Sequence, residues 1–145
     1  MNPQPKFLSP KEAFKACFSA VAGYLGRPSA ETVLFAGVPL SDTQIDIDAV
    51  RHLAERIGLE ITEFSHRDFL RGRIDLPAIL FRVSQLPVAL LAETADGGFT
   101  TAPQEDGRTT ISKSELAGSF ISGGVSFSIT YANAVGDERR FGGQD

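Results

Sequence analysis

The sequence holds no tryptophan, one methionine, one cysteine (Cys17) and two histidines (His52 and His66). A single cysteine excludes an internal disulfide and fits a reducing compartment. Two histidines without cysteine partners or a His-x-x-x-His pair make a poor zinc case, and neither a metal nor a cofactor is expected. Cationic excess is missing as well. Lys and Arg number 14 against 18 Asp and Glu, a net charge of −4, which removes the electrostatic reason to expect nucleic acid. The longest apolar stretch, around Leu86 to Ala92, falls far short of the roughly 20 residues of a membrane helix, so no membrane insertion is expected. Met1 to Lys6 is polar with no apolar run behind it, so no secretory signal is expected.

What is present reads as one ordinary globular domain of 145 residues, with 42% apolar and 22% charged residues. A chain of this length buries about 68–70% of its unfolded surface. Ser9-Pro10-Lys11-Glu12 is a helix start, with Ser9 as cap, Pro10 at the first helical position and Glu12 closing a capping box. Phe14, Cys17, Phe18, Val21, Tyr24 and Leu25 then recur at helical spacing until Gly26 and Pro28 end the helix. A shorter helix is expected from about Ala30 to Ala36. A third starts at Asp46 or Asp48, with Ile47, Val50, Leu53, Ala54 and Ile57 on one face and Gly58 as its stop.

The period then changes. Leu59 to Phe64 alternates as a half-buried strand does, Leu76 to Phe81 and Val88 to Ala92 are runs of strand length, and Asp96-Gly97-Gly98 is a turn before Phe99 to Thr101. Ser112 to Leu116 suits one helical turn, Ser122-Gly123-Gly124 reads as a turn, and Val125 to Tyr131 alternates as a last strand. Helices first and strands later predict an α+β domain, the N-terminal helices packed on a C-terminal antiparallel sheet. The expected domain covers residues 1–135, and the Gly-rich polar stretch 136–145 reads as a linker or tail.

Chemistry is sparse. Cys17 lies about two turns into its helix, beyond the reach of the helix dipole, and on the apolar face, so a buried structural cysteine is expected. His52 sits beside the apolar stripe of the third helix, and His66 opens a short polar segment, Ser65 to Asp68. Asp46 and Asp48 form a carboxylate pair that a helix N-terminus explains without catalysis. No Gly-x-Ser-x-Gly and no phosphate loop occurs. Arg51, Arg56, Arg67, Arg71 and Arg73 cluster in sequence, but Glu55, Glu60, Glu63 and Asp68 nearly cancel them, which predicts a solvated mixed surface.

Three blocks in order resemble one family. Glu12 to Gly26 is similar to the opening helix of the bacteriocin-processing cysteine peptidases, papain-like domains at the N-terminus of certain ABC exporters. Ala36-Gly-Val-Pro-Leu-Ser41 with Ala54-Glu-Arg-Ile-Gly-Leu59 resembles a subgroup found in type I secretion ABC transporters for large repeat-containing adhesins and toxins. Leu76-Pro-Ala-Ile-Leu-Phe81 is similar to the family's strand before its catalytic histidine. Together the blocks span about residues 10 to 132.

The resemblance implies a papain-like fold and also an absent active site. Anchored on Ala22-Gly-Tyr-Leu-Gly26, the nucleophile's place falls on Ala13, and Cys17 takes the place of a second, non-catalytic cysteine. The histidine's place reads Leu86-Pro87, the orienting aspartate's reads Ala102-Pro103, and the oxyanion-hole glutamine's falls near Phe7. A Cys-His-Asp arrangement acts as a unit, so replacing all its members leaves no enzyme.

The resemblance therefore implies a non-catalytic domain that holds an unfolded RTX or adhesin substrate at the cytoplasmic face of the inner membrane. The remaining transporter domains are the other expected partners, and Tyr24 and Phe81 the candidate substrate-binding aromatics. Two other readings stand beside it: an active leader-cleaving peptidase using Cys17, and an assembly module contacting other transporter parts.

Overall fold

A computed structural model describes residues 9–27, 30–40, 45–82, 86–105, 108–117 and 121–130. The expected tail at 136–145 and the position near Phe7 lie outside them. Helix α1 runs Pro10–Tyr24, α2 Glu31–Leu34 and α3 Ile47–Arg56. Then follow β1 (Leu59–Phe64), α4 (His66–Leu70), β2 (Ala78–Arg82), β3 (Val88–Glu93), β4 (Phe99–Glu105), β5 (Arg108–Ile111), α5 (Lys113–Ala117) and β6 (Ile121–Ile129). The strands form one sheet in the order β1-β6-β2-β3-β4-β5, with every pairing antiparallel.

Three helices begin with the same device. Ser9 Oγ accepts from Glu12 N at 3.1 Å while Ser9 N donates to Glu12 Oε1 at 3.2 Å. Ser65 and Asp68 repeat the exchange at the start of α4, and Ser112 and Glu115 at the start of α5. Each box satisfies two backbone N–H groups that the helix start leaves open. Helix α3 uses Asp46, whose Oδ1 accepts from Asp48 N at 3.2 Å, so this acid is a cap.

The sheet is apolar on both faces. Toward α1, α2 and α3 it presents Leu59, Ile79, Ala89, Val125 and Phe127, packed with Phe14, Cys17, Phe18, Val21, Leu34, Phe35, Val50 and Leu53. Phe18 is the hub, with its ring 5.9 Å from Phe14, 5.8 Å from Phe35 and 5.7 Å from Phe127. Toward α4 and α5 the sheet presents Ala78, Leu80, Val88, Leu90, Phe99 and Ile121, packed with Phe69 and Leu116. Alternate residues of one strand serve the two faces, as the pleat requires: Ile79 points to the first core, Ala78 and Leu80 to the second.

Several expectations need correction. Residues 65–70 are a capped helix and not merely a polar segment. Ser122-Gly123-Gly124 lies inside β6 and not in a turn before it. Gly124 pairs with both Phe64 and Leu80 across its two neighbours. A methyl group there would stand 2.5 Å from Phe64 Cζ and still closer to the Ile79 carbonyl oxygen, so the glycine makes room for an aromatic ring rather than a reversal. Tyr24 leaves the apolar face and Ala13 and Ala22 join it. The helical turn expected at Ser112 to Leu116 is α5, and with α4 it forms a second helical layer that the sequence pattern does not indicate.

Gly124→Ala is expected to destabilise by at least about 1–3 kcal/mol through overpacking. Gly23→Ala, where nothing lies within 4 Å of the new methyl group, should stabilise α1 by about 0.5–1 kcal/mol. Thermal melts followed by circular dichroism check both signs.

Candidate functional site

The places that the resemblance assigns to catalysis converge where α1 crosses β3 and β4. Ala13 and Cys17 stand one helical turn apart on the buried face of α1, both fully inaccessible to solvent. Cys17 Sγ lies 3.5 Å from the carbonyl oxygen of Pro87 and 3.4 Å from that of Ala102. Pro87 is the residue before β3, and Ala102 pairs with Ala89 across the β3–β4 ladder. The next carbonyl back, that of Leu86, accepts Arg82 Nε at 3.0 Å and a terminal guanidinium nitrogen at 2.6 Å. Ala13, Leu86, Pro87 and Ala102 thus belong to one region, and the polar contacts made by Leu86, Pro87 and Ala102 run through the main chain.

Cys17 is a fully buried thiol at this junction, and its contacts with β3 and β4 are with main-chain carbonyls. The thiolate, and not the thiol, attacks, whereas here the sulfur is positioned as a donor to two carbonyl oxygens. Neither imidazole is placed to serve it. His52 is exposed on α3. His66 opens α4, whose Phe69 belongs to the core on the far face of the sheet from Cys17. His66 Nδ1 is buried without a hydrogen-bond partner among the described residues.

Tyr24, the last residue of α1, is 54% exposed and available to a partner. Phe81 is half-buried against the first core, and its carbonyl accepts Ser122 Oγ at 3.0 Å. No ring contact joins Tyr24 and Phe81. Among the described residues no three His, Cys, Asp or Glu side chains converge as metal ligands, and no helix is long and apolar enough to cross a membrane.

The clustered arginines are solvent-exposed beside their acids, as expected of a mixed surface, and differ in how far each is engaged. Arg51 takes both Asp48 at 3.2 Å and Glu63 at 3.5 Å. Arg56 donates to the Leu34 carbonyl. Arg67, Arg71 and Arg73 are exposed and form no ion pair among the described residues. Asp68, their neighbour, is engaged by Ser65, whose backbone and side-chain hydrogen bonds hold its carboxyl below the usual 3.8, with Arg73 and Arg71 adding to the effect. Reading the sequence alone could not separate the engaged acids from the open arginines.

Two measurements follow. Cys17 should resist iodoacetamide at neutral pH in the folded protein and react once urea unfolds it. A carboxyl whose folded pKa is lowered stabilises above its ordinary value and loses that contribution as pH falls through the folded value. The stability difference between the parent and Asp68→Asn should therefore be constant above about pH 5 and shrink at lower pH, as urea melts across the acid range would record.

Comparison with protein-family models finds no match, and comparison with curated proteins finds none either. Solved structures do match. The N-terminal peptidase C39-like domain of the toxin secretion ATP-binding protein from Vibrio parahaemolyticus superposes with a TM-score of 0.60 at 20% identity, over 81% of this chain and 96% of that one. A double glycine motif protease from an AMS/PCAT transporter, solved in complex with its leader peptide, gives a TM-score of 0.65 at 15% identity, over 90% of each chain. Both are α+β domains whose architecture the six-stranded antiparallel sheet and its helices reproduce, and the chain has the peptidase C39-like fold.

Proposed function

We propose that this chain is a non-catalytic peptidase C39-like domain of a type I secretion ABC transporter, which binds or tethers an unfolded RTX or adhesin substrate before export. In that role it would sit at the cytoplasmic face of the bacterial inner membrane, beside the remaining transporter domains. The observation that carries the reading is the contact of the Cys17 thiol with the carbonyls of Pro87 and Ala102. The positions that resemble the family's nucleophile, base and orienter occupy one region, yet Ala13, Pro87 and Ala102 bring no ionisable side chain to it.

A fold that keeps its site geometry without its chemistry is better explained by retained binding than by catalysis. The leader-peptide complex of the second structural neighbour supports peptide binding as a property this fold can have. Exposed Tyr24 is the aromatic best placed for such a contact, since an amphipathic ring gives large contact area at small entropic cost.

The active-peptidase reading requires Cys17 to meet an imidazole and a peptide bond. Its complete burial and the positions of His52 and His66 argue against that.

Incubation with a leader peptide ending in a double glycine should give no cleavage product, and Cys17→Ala should leave that result unchanged. Titration with an unfolded, calcium-free segment of the exported protein should give saturable binding that Tyr24→Ala weakens by about 1–2 kcal/mol. Cleavage abolished by Cys17→Ala would restore the enzyme reading. Binding confined to the transporter's other domains would point to an assembly module.

A further inference from the structure

Strand β1 is one edge of the sheet, paired with β6 on one side and with no strand on the other among the described residues. Thr130 N donates to the Gly58 carbonyl at 2.8 Å, one step beyond the pair Leu59 and Ile129. Hydrogen-bonded pairs recur at every second residue of an antiparallel ladder. Glu60, Thr62 and Phe64 therefore turn their main chain to β6, and Leu59, Ile61 and Glu63 turn theirs outward. None of these three forms a main-chain hydrogen bond on the outer side among the described residues.

Protein edges are commonly blunted by short strands, bulges, lysine or proline. β1 has none of these. It runs six residues in unshifted register with β6, whereas the opposite edge, β5, spans four and pairs with β4 through a register shift. Glu60, Thr62 and Glu63 are exposed, and Ile61 is left half-buried beside the first core. Arg51 on α3 takes Glu63 at 3.5 Å, which softens one of the two charges on the strand.

Which strand can extend this edge follows from its own sequence. A second β1 laid antiparallel must set outward residues against outward residues. Registers that place Glu60 opposite Glu60, or Glu63 opposite Glu63, bring like charges face to face, which is unfavourable. The register with Thr62 opposite Thr62 leaves Leu59 beyond the end of the other strand. Only the register centred on Ile61 avoids all three faults: Ile61 meets Ile61 of the second copy, Leu59 meets Glu63, and Glu60 meets Thr62. All three outward residues of each strand are then engaged.

We propose that β1 is a self-association edge, through which two copies of this chain join their sheets about a two-fold axis at Ile61. The contact is isologous, so each residue makes the same contact in both copies. Each half-buried Ile61 is covered by its twin. Opposed residues of an antiparallel pair lie on one face, so the α3 helices, which pack against β1, flank the junction. Their exposed Asp48, Arg51, His52 and Glu55 are of mixed sign rather than one repelling charge.

The test uses the whole chain. Sedimentation velocity should show a monomer when dilute and a dimer as concentration rises. Added salt should favour the dimer by screening two copies of net charge −4. Thr62→Lys sets a cation opposite Glu60 twice per dimer and should tighten it about threefold, and Thr62→Glu should weaken it by about the same factor. Thr62 is exposed, and melting curves report that both variants stay folded. Amide exchange at Leu59, Ile61 and Glu63 should slow as concentration rises, while Glu60 and Thr62 are protected throughout.

A monomer at every concentration overturns the proposal, as does a dimer that responds alike to lysine and glutamate at position 62. Slow exchange at the three amides in the dilute protein also overturns it, because the edge is then covered within one chain. Tyr24→Ala, on α1, should leave the dimer unchanged, so the proposed role and this edge fail or stand separately.

Discussion

A sheet that is apolar on both faces must be covered twice, and that requirement organises this molecule. Ile79 cannot be buried toward α1 without sending Ala78 and Leu80 to the other side, where water would meet them. The long amphipathic helix α1 and the shorter α3 close the first face. The second is closed by two helices of five residues each, α4 and α5, which contribute Phe69 and Leu116. Such short helices have little intrinsic stability. Their capping boxes and one deeply buried side chain apiece hold them in place.

The same constraint explains the state of the site. Where α1 crosses β3 and β4, close packing leaves room only for small or apolar groups, and Ala13, Cys17, Pro87 and Ala102 fill it. A polar group buried there needs a partner. The Cys17 thiol finds two in main-chain carbonyls. An imidazole and a carboxylate would have to satisfy each other in the same space, as they do in a working cysteine peptidase. Here Ala13, Pro87 and Ala102 stand beside Cys17 in a buried junction between helix and sheet.

Much of this fold was legible in the sequence where one residue type has one physical reading. The Ser9, Pro10 and Glu12 signature and Gly26 and Gly58 as helix stops appear as read, and Leu59 to Phe64 is a strand, although its alternation ends at Phe64, which is buried in the second core. Misreadings arose where one pattern serves two purposes. Gly123 and Gly124 looked like a turn, yet Gly124 is small because the Phe64 ring lies over it, a fact that resides in a different strand. Ser65-His-Arg-Asp68 looked merely polar, because Asp in place of Glu and a single apolar residue, Phe69, make a faint helix signal. Strand β5 went unseen, since Arg108 to Ile111 offers no alternation until its last residue. At the site, resemblance located the positions, but the carbonyl contacts could not be read because a backbone acceptor has no residue identity.

Arg82 grips the oxygen of Leu86, while Cys17 touches the oxygens of Pro87 and Ala102. All three attachments end on atoms that every amino acid possesses. The side chains at these places are therefore released from the duty of holding the hairpin and the strands together. Drift there is judged by how well a group fits the packing rather than by whether the fold closes. Side chains of other kinds can stand at these places without undoing the contacts that join helix, hairpin and strands.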